Sequence, residues 1–129
     1  MPSFMIKFEP QTYALLRIAA AFLFIFHGSQ KLFSWPVEAF EAPAWMIYGV
    51  GWFEIIGGFM ILIGLVSGWV AFIASGMMVV GYFMVHFSVD AIWPIMNRGE
   101  RASLWAFIFL YIATRGSGIW SVDAMMKKS

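Results

Sequence analysis

Seven side chains able to do acid–base or ion-pair chemistry stand inside or beside long apolar runs: Arg17, His27, Lys31, Glu54, His86, Glu100 and Arg115. In lipid such a group is costly and by default marks a functional site. A carboxylate like Glu54 or an imidazole like His27 can exchange protons, which makes these two the candidate catalytic residues. A guanidinium or ammonium can hold a carboxylate or stabilise a reduced anion. The candidate ligand-binding set is Arg17, His27, Gln30, Lys31, Glu54, His86, Asn97, Glu100 and Arg115. Spacing suggests a deep layer of Glu54 with Arg17, Arg115 or both. An outer layer would hold His27, Gln30, Lys31, His86, Asn97 and Glu100. The blander alternatives are an ion pair that only sets helix register and, for Lys31 and Arg115, snorkelling to the nearer interface. Asp123 reads as a cap on the final turn. His27 and His86 would lie at similar depth on helices running the same way. That permits bis-histidine haem ligation or a proton relay, but hydrogen-bonded interfacial histidines outweigh haem.

Four apolar segments must position these groups, at about 13–33, 44–66, 69–87 and 102–120. Each is close to the ~20 residues that cross ~30 Å of hydrocarbon at ~1.5 Å per residue. The runs are continuous rather than alternating, so they read as helices and not as barrel strands. The expected fold is all-α: an antiparallel four-helix transmembrane bundle forming one domain over 1–129. Helical spacing puts Arg17, Ala20, Ala21, Phe24, His27, Gly28 and Lys31 on one face. Gly51, Glu54, Gly57, Gly58, Ile61 and Gly64 share a face of the second helix. Gly68, Ala71, Ser75, Met78, Tyr82 and His86 do so in the third. In the fourth, Glu100, Ser103, Phe107, Tyr111, Thr114, Arg115 and Gly118 cluster. Each stripe is expected to face inward, because small residues let helices approach in lipid. Gly64–Gly68 reads as a tight hairpin with Ser67 as N-cap. The other two connections are long and polar. The first segment, long and carrying Arg17, reads as a retained helix rather than a secretory signal.

Composition sets the solvent. Of 129 residues, 62% are hydrophobic and 12% charged, against about half and about a quarter in soluble domains. So few charges cannot cover a small fold in water, and the lipid bilayer is the expected surround. A net charge of +1 offers no field for nucleic acid. The absence of cysteine removes disulfides, thiolate metal ligands and thiol nucleophiles. No metal-ligand cluster, nucleotide loop or Ser-His-Asp set is visible. Five basic residues on the side of the termini against three opposite favour cytoplasmic N- and C-termini.

Several stretches, taken in order, resemble the DoxX family of small four-helix membrane proteins. They are Leu15-Leu16-Arg17 followed by Phe26-His27-Gly28-Ser29-Gln30-Lys31-Leu32, and Glu54-Ile55-Ile56-Gly57-Gly58 leading into Leu62-Ile63-Gly64-Leu65. Asn97-Arg98-Gly99-Glu100 resembles the family's Asn-Gly-Gly-Glu approach to helix 4, with Arg98 replacing a glycine. Gly116 to Asp123 resembles its Gly-x-Gly-x-x-Ser-x-Asp ending. The resemblance implies a multi-pass protein of the inner membrane, loosely linked to quinone-coupled oxidoreductases, and carries fold better than chemistry.

Three functional readings follow. The first is a subunit of a membrane oxidoreductase system that binds a quinone or similar apolar ligand. Without cysteine or a metal set, any catalysis would need a redox partner. The second is a non-catalytic scaffold, accessory or assembly subunit of a larger membrane complex, whose partners are other membrane proteins or further copies of the chain. The third, subordinate, is a small-solute or ion pathway, for which a single copy lacks broken-helix or repeat signals.

Overall fold

The computed structural model describes residues 2–128. A short helix α1 (Ser3–Ile6) precedes α2 (Glu9–Phe33). The second helix starts four residues before the apolar run, because Glu9 and Pro10 suit a first turn. It stops at Ser34, whose backbone is left-handed and whose N–H returns to the Gln30 carbonyl. After a polar connection, a π-helical segment (Trp45–Val50) leads into α3 (Gly51–Ile63). Gly64, with φ of 74°, ends α3, and Leu65 N–H reaches back to the Met60 carbonyl at 2.8 Å, the hydrogen bond of a Schellman ending. The tight hairpin expected at Gly64–Gly68 is present, and α4 (Ser67–Gly81) follows at once, ending in a π turn (Tyr82–His86). Then come α5 (Pro94–Asn97), α6 (Glu100–Arg115) and α7 (Val122–Lys128). Among the described residues the sole β pairing is an isolated bridge between Ser88 and Ala91.

Among the described residues, three helices are long and apolar enough to cross a membrane: Glu9–Phe33, Trp45–Ile63 and Ser67–His86. The fourth apolar segment departs from expectation. Its helix does not continue to Trp120 but ends at Arg115 after 16 residues, ~24 Å of rise. Gly116 and Gly118 take φ of 81° and 68°, a left-handed backbone that glycine adopts without strain, and the chain there turns instead of spiralling.

Contacts divide the chain into two units, one of residues to Ser67 with those from Ser117, the other Gly68–Gly116. In the first, α2 and α3 run antiparallel. A Cβ on Gly28 would lie 2.6 Å from the Gly51 carbonyl oxygen, and one on Gly58 would lie 2.6 Å from the Ile25 side chain. The predicted stripe of α3 is buried throughout, from Gly51 through Glu54, Gly57, Gly58 and Ile61 to Gly64. On α2, Arg17, Ala20, Ala21, Phe24 and Gly28 are likewise buried.

In the second unit, α4 and α6 run antiparallel. The Ser75 hydroxyl donates to the Ala106 carbonyl at 2.7 Å, and Gly68 lies beside Ala113. Here the expected inward face of the fourth helix is wrong. Phe107 and Tyr111 are 71% and 45% exposed, and Glu100, Thr114 and Arg115 are exposed too. The buried face is Trp105, Ala106, Phe109 and Ile112, and on α4 the small and apolar Val70, Ala71, Ala74 and Ser75 are buried, as close helix packing in lipid favours.

Candidate functional site

The close approach at Gly28 and Gly51 brings two ionisable side chains together. Lys31, nearly one turn beyond Gly28, meets Glu54, whose Cβ would lie 3.0 Å from a Cβ on Gly28. The Lys31 ammonium donates to both carboxylate oxygens, at 2.9 and 2.7 Å. The two side chains are 8% and 3% exposed. Lys31 also sits 5.6 Å above the Phe40 ring, within cation–π range. Next to it, the Gln30 amide donates to the Glu38 carbonyl at 2.8 Å, pinning the connection that follows α2. His27, half-buried, lies one turn before Lys31. This cluster corrects the expected deep layer: Glu54 is paired with Lys31, and Arg17 is not its partner. Lys31 does not snorkel away, because a fixed carboxylate at hydrogen-bonding distance is offered inside the packed face.

Arg17 is fully buried and engaged elsewhere. Its guanidinium donates to the carbonyls of Ser117, of Ile119 at 3.2 Å and of Trp120 at 2.7 Å. The turn after α6 therefore wraps the arginine, and its carbonyls serve a cation instead of a helix. Gly64 permits this, since a side chain there would run into Ser121 and approach the guanidinium carbon. The negative counter-charge comes through one residue: the Ser117 hydroxyl donates to Asp123 at 2.6 Å. Asp123 also accepts the Val66 N–H at 2.9 and 3.1 Å, while its own N–H donates to the Gly64 carbonyl at 3.0 Å. The Ser117 hydroxyl first, and the Val66 amide next, hold the Asp123 carboxyl below its ordinary value, with Lys127 and Arg17 adding to the effect.

Asp123 thus ties the last segment to the α3–α4 turn, where a cap of its own final turn was expected. That final turn is capped instead by Ser121, whose hydroxyl accepts the Ala124 N–H at 3.1 Å. Ser67 is not its own cap either: its hydroxyl has no partner among the described residues, and its N–H faces the Ser117 hydroxyl at 3.4 Å.

The remaining candidates lie in the other unit. His86 Nδ1 is 3.1 Å from the Asn97 carbonyl. The Asn97 amide donates to the Tyr82 hydroxyl at 3.1 Å and the Ala91 carbonyl at 2.9 Å, and its oxygen accepts the Gly99 N–H at 2.9 Å. Glu100 is exposed in the first turn of α6 and Arg115 in its last, the favourable ends for each charge. The Arg115 guanidinium donates to the Tyr111 hydroxyl at 3.2 Å. Sequence reasoning missed the roles of Ser117, Ser121 and Tyr82. The signal for the first two was the glycine-rich ending, whose glycines mark a turn rather than the close of a helix.

These features define an apolar, all-helical membrane protein with an ion pair enclosed between two spanning helices. The chain belongs to the DoxX family, whose sequence pattern matches residues 12–87. That match includes both Arg17 and the Lys31–Glu54 pair, but not the ending that wraps Arg17. A protein of Haemophilus influenzae described as an uncharacterized protein is 34% identical over 125 residues, covering 91% of this chain and 92% of that protein. No solved structure matches the chain.

Proposed function

We propose that the protein is a membrane subunit that binds a quinone, or an apolar ligand with a similar polar head, in an oxidoreductase system, with the head at the Lys31–Glu54 pair. The observation that carries this reading is an ammonium–carboxylate pair 3–8% exposed between spanning helices, with His27 and Gln30 within a turn on the same helix. Reducing a quinone to a quinol takes two electrons and two protons. A partner oxidoreductase would supply the electrons. Glu54, with His27, would exchange protons, and Lys31 would stabilise the reduced anion. Arg17, already committed to three carbonyls, would position the helices instead of touching ligand. In this reading α6 is a fourth, shorter crossing of one antiparallel four-helix domain in the inner membrane, with cytoplasmic termini. Other membrane subunits or further copies of the chain complete the complex.

Mass spectrometry of small molecules retained after mild-detergent purification tests the proposal. Quinone should accompany the unsubstituted protein and be lost from a monodisperse Glu54→Gln variant. Quinone-free protein purified from quinone-replete membranes would overturn it. A non-catalytic scaffold is the second reading, favoured by the purely structural engagement of Arg17 and by the outward polar stripe of α6. It predicts a stable partner complex in native mass spectra whose activity is insensitive to Glu54→Gln.

A further inference from the structure

The π-helical turn at Tyr82–His86 carries a hydrogen-bond acceptor apart from the Lys31–Glu54 and Arg17 clusters. π turns are rare and concentrate at functional sites. A carbonyl can only accept, so the 3.1 Å contact with the Asn97 carbonyl places the proton on His86 Nδ1. In the neutral ring Nε2 is then a lone-pair acceptor, and among the described residues none donates to it. The group that fixes this tautomer is itself held on every side. The Asn97 side chain spends both its amide donors and its oxygen on Tyr82, Ala91 and Gly99. Gly99 in turn lies so close to Tyr82 that a Cβ there would collide with the ring. The imidazole is therefore pre-oriented, which lowers the cost of binding.

The surroundings define what would bind. His86 stacks on Tyr82, with centroids 6.4 Å apart and planes 28° apart. Phe83 and Phe87, both exposed, lie 5.6 Å from each other and 5.2 and 6.5 Å from Tyr82. The hydrogen-bonded cluster contains no charged side chain, so it suits a neutral donor rather than an anion. It stands at the last residue of the span Ser67–His86, where the apolar run gives way to Ser88 and Asp90. The geometry points to His86 Nε2 as the acceptor for the hydroxyl of a phenolic amphiphile whose ring lies among Tyr82, Phe83 and Phe87. This site is independent of the Lys31–Glu54 reading and stands or falls separately.

The test uses 15N-histidine-labelled protein in phosphatidylcholine nanodiscs, with 4-fluorophenol as probe and 4-fluoroanisole, which lacks the donor, as control. The His86 signal, assigned by its loss in His86→Leu, should report the Nδ1–H tautomer in the neutral ring. Relative to protein-free nanodiscs, the phenol should bind about five- to tenfold more tightly than the ether, the worth of one hydrogen bond. It should also shift the Nε2 resonance. His86→Leu should abolish the preference, and Gly76→Ala, where a Cβ meets nothing within 4 Å, should leave it intact. An Nε2–H tautomer, equal binding of phenol and ether, or a preference surviving in His86→Leu would each overturn the proposal. The first two readouts need only the unsubstituted protein.

Discussion

Removing one partner of the Lys31–Glu54 pair should cost far more than removing both. At 2.7 Å and an effective dielectric constant of ~20, the attraction is about 6 kcal/mol. Stripping water from each ion costs several kcal/mol, so the intact pair adds little net stability. A lone survivor keeps its desolvation cost and loses the attraction. Glu54→Gln and Lys31→Met nearly preserve volume while removing charge, and each should destabilise by about 3–5 kcal/mol. The double variant should recover at least ~2 kcal/mol of the summed loss, as buried pairs replaced together are tolerated. The assay is reversible unfolding in mixed micelles titrated with dodecyl sulfate, followed by far-UV circular dichroism, for all four proteins of the cycle. Single losses that simply add, within ~0.5 kcal/mol, would refute the reasoning, because the charges would then not sense each other in the enclosed site.

Arg17→Met should strand three carbonyls and cost at least ~3 kcal/mol, with faster amide exchange across 117–121. Arg17→Lys should restore only part of this, since an ammonium cannot reproduce the guanidinium fork. The depressed Asp123 carboxyl contributes stability that is present above its ordinary unfolded value of ~3.9 and is lost as pH falls through the lower folded value. Exchange protection of the Val66 amide should therefore weaken below about pH 4, and Asp123→Asn should lack that acid transition. Gly28→Ala forces a methyl to 2.6 Å from a backbone oxygen and should destabilise by about 1–3 kcal/mol. Gly76→Ala, with nothing within 4 Å, should be neutral or stabilising by up to ~1 kcal/mol. Thermal midpoints in one detergent compare the two.

Much of the fold was legible in the residues because lipid imposes simple rules. Continuous apolar length marked the three long spans, and the glycine spacing from Gly51 to Gly64 identified the buried face of α3. Glycine at Gly64 and Gly68 marked the hairpin. What the one-dimensional pattern left open was height and sign. Arg17 and Lys31 share a face of α2 but stand 14 residues apart, ~21 Å along the axis. Either could have met Glu54 by periodicity alone, and the antiparallel register that sets Gly28 against Gly51 chose Lys31. On α6 periodicity separated a polar stripe from an apolar one but could not say which is buried. The folded chain buries Trp105, Phe109 and Ile112 and leaves Phe107, Tyr111, Thr114 and Arg115 exposed. The choice of Arg17's partners was tertiary for the same reason. Backbone carbonyls carry no sequence signal, so an arginine bound by three of them becomes visible only once the chain from Ser117 to Trp120 has folded around it.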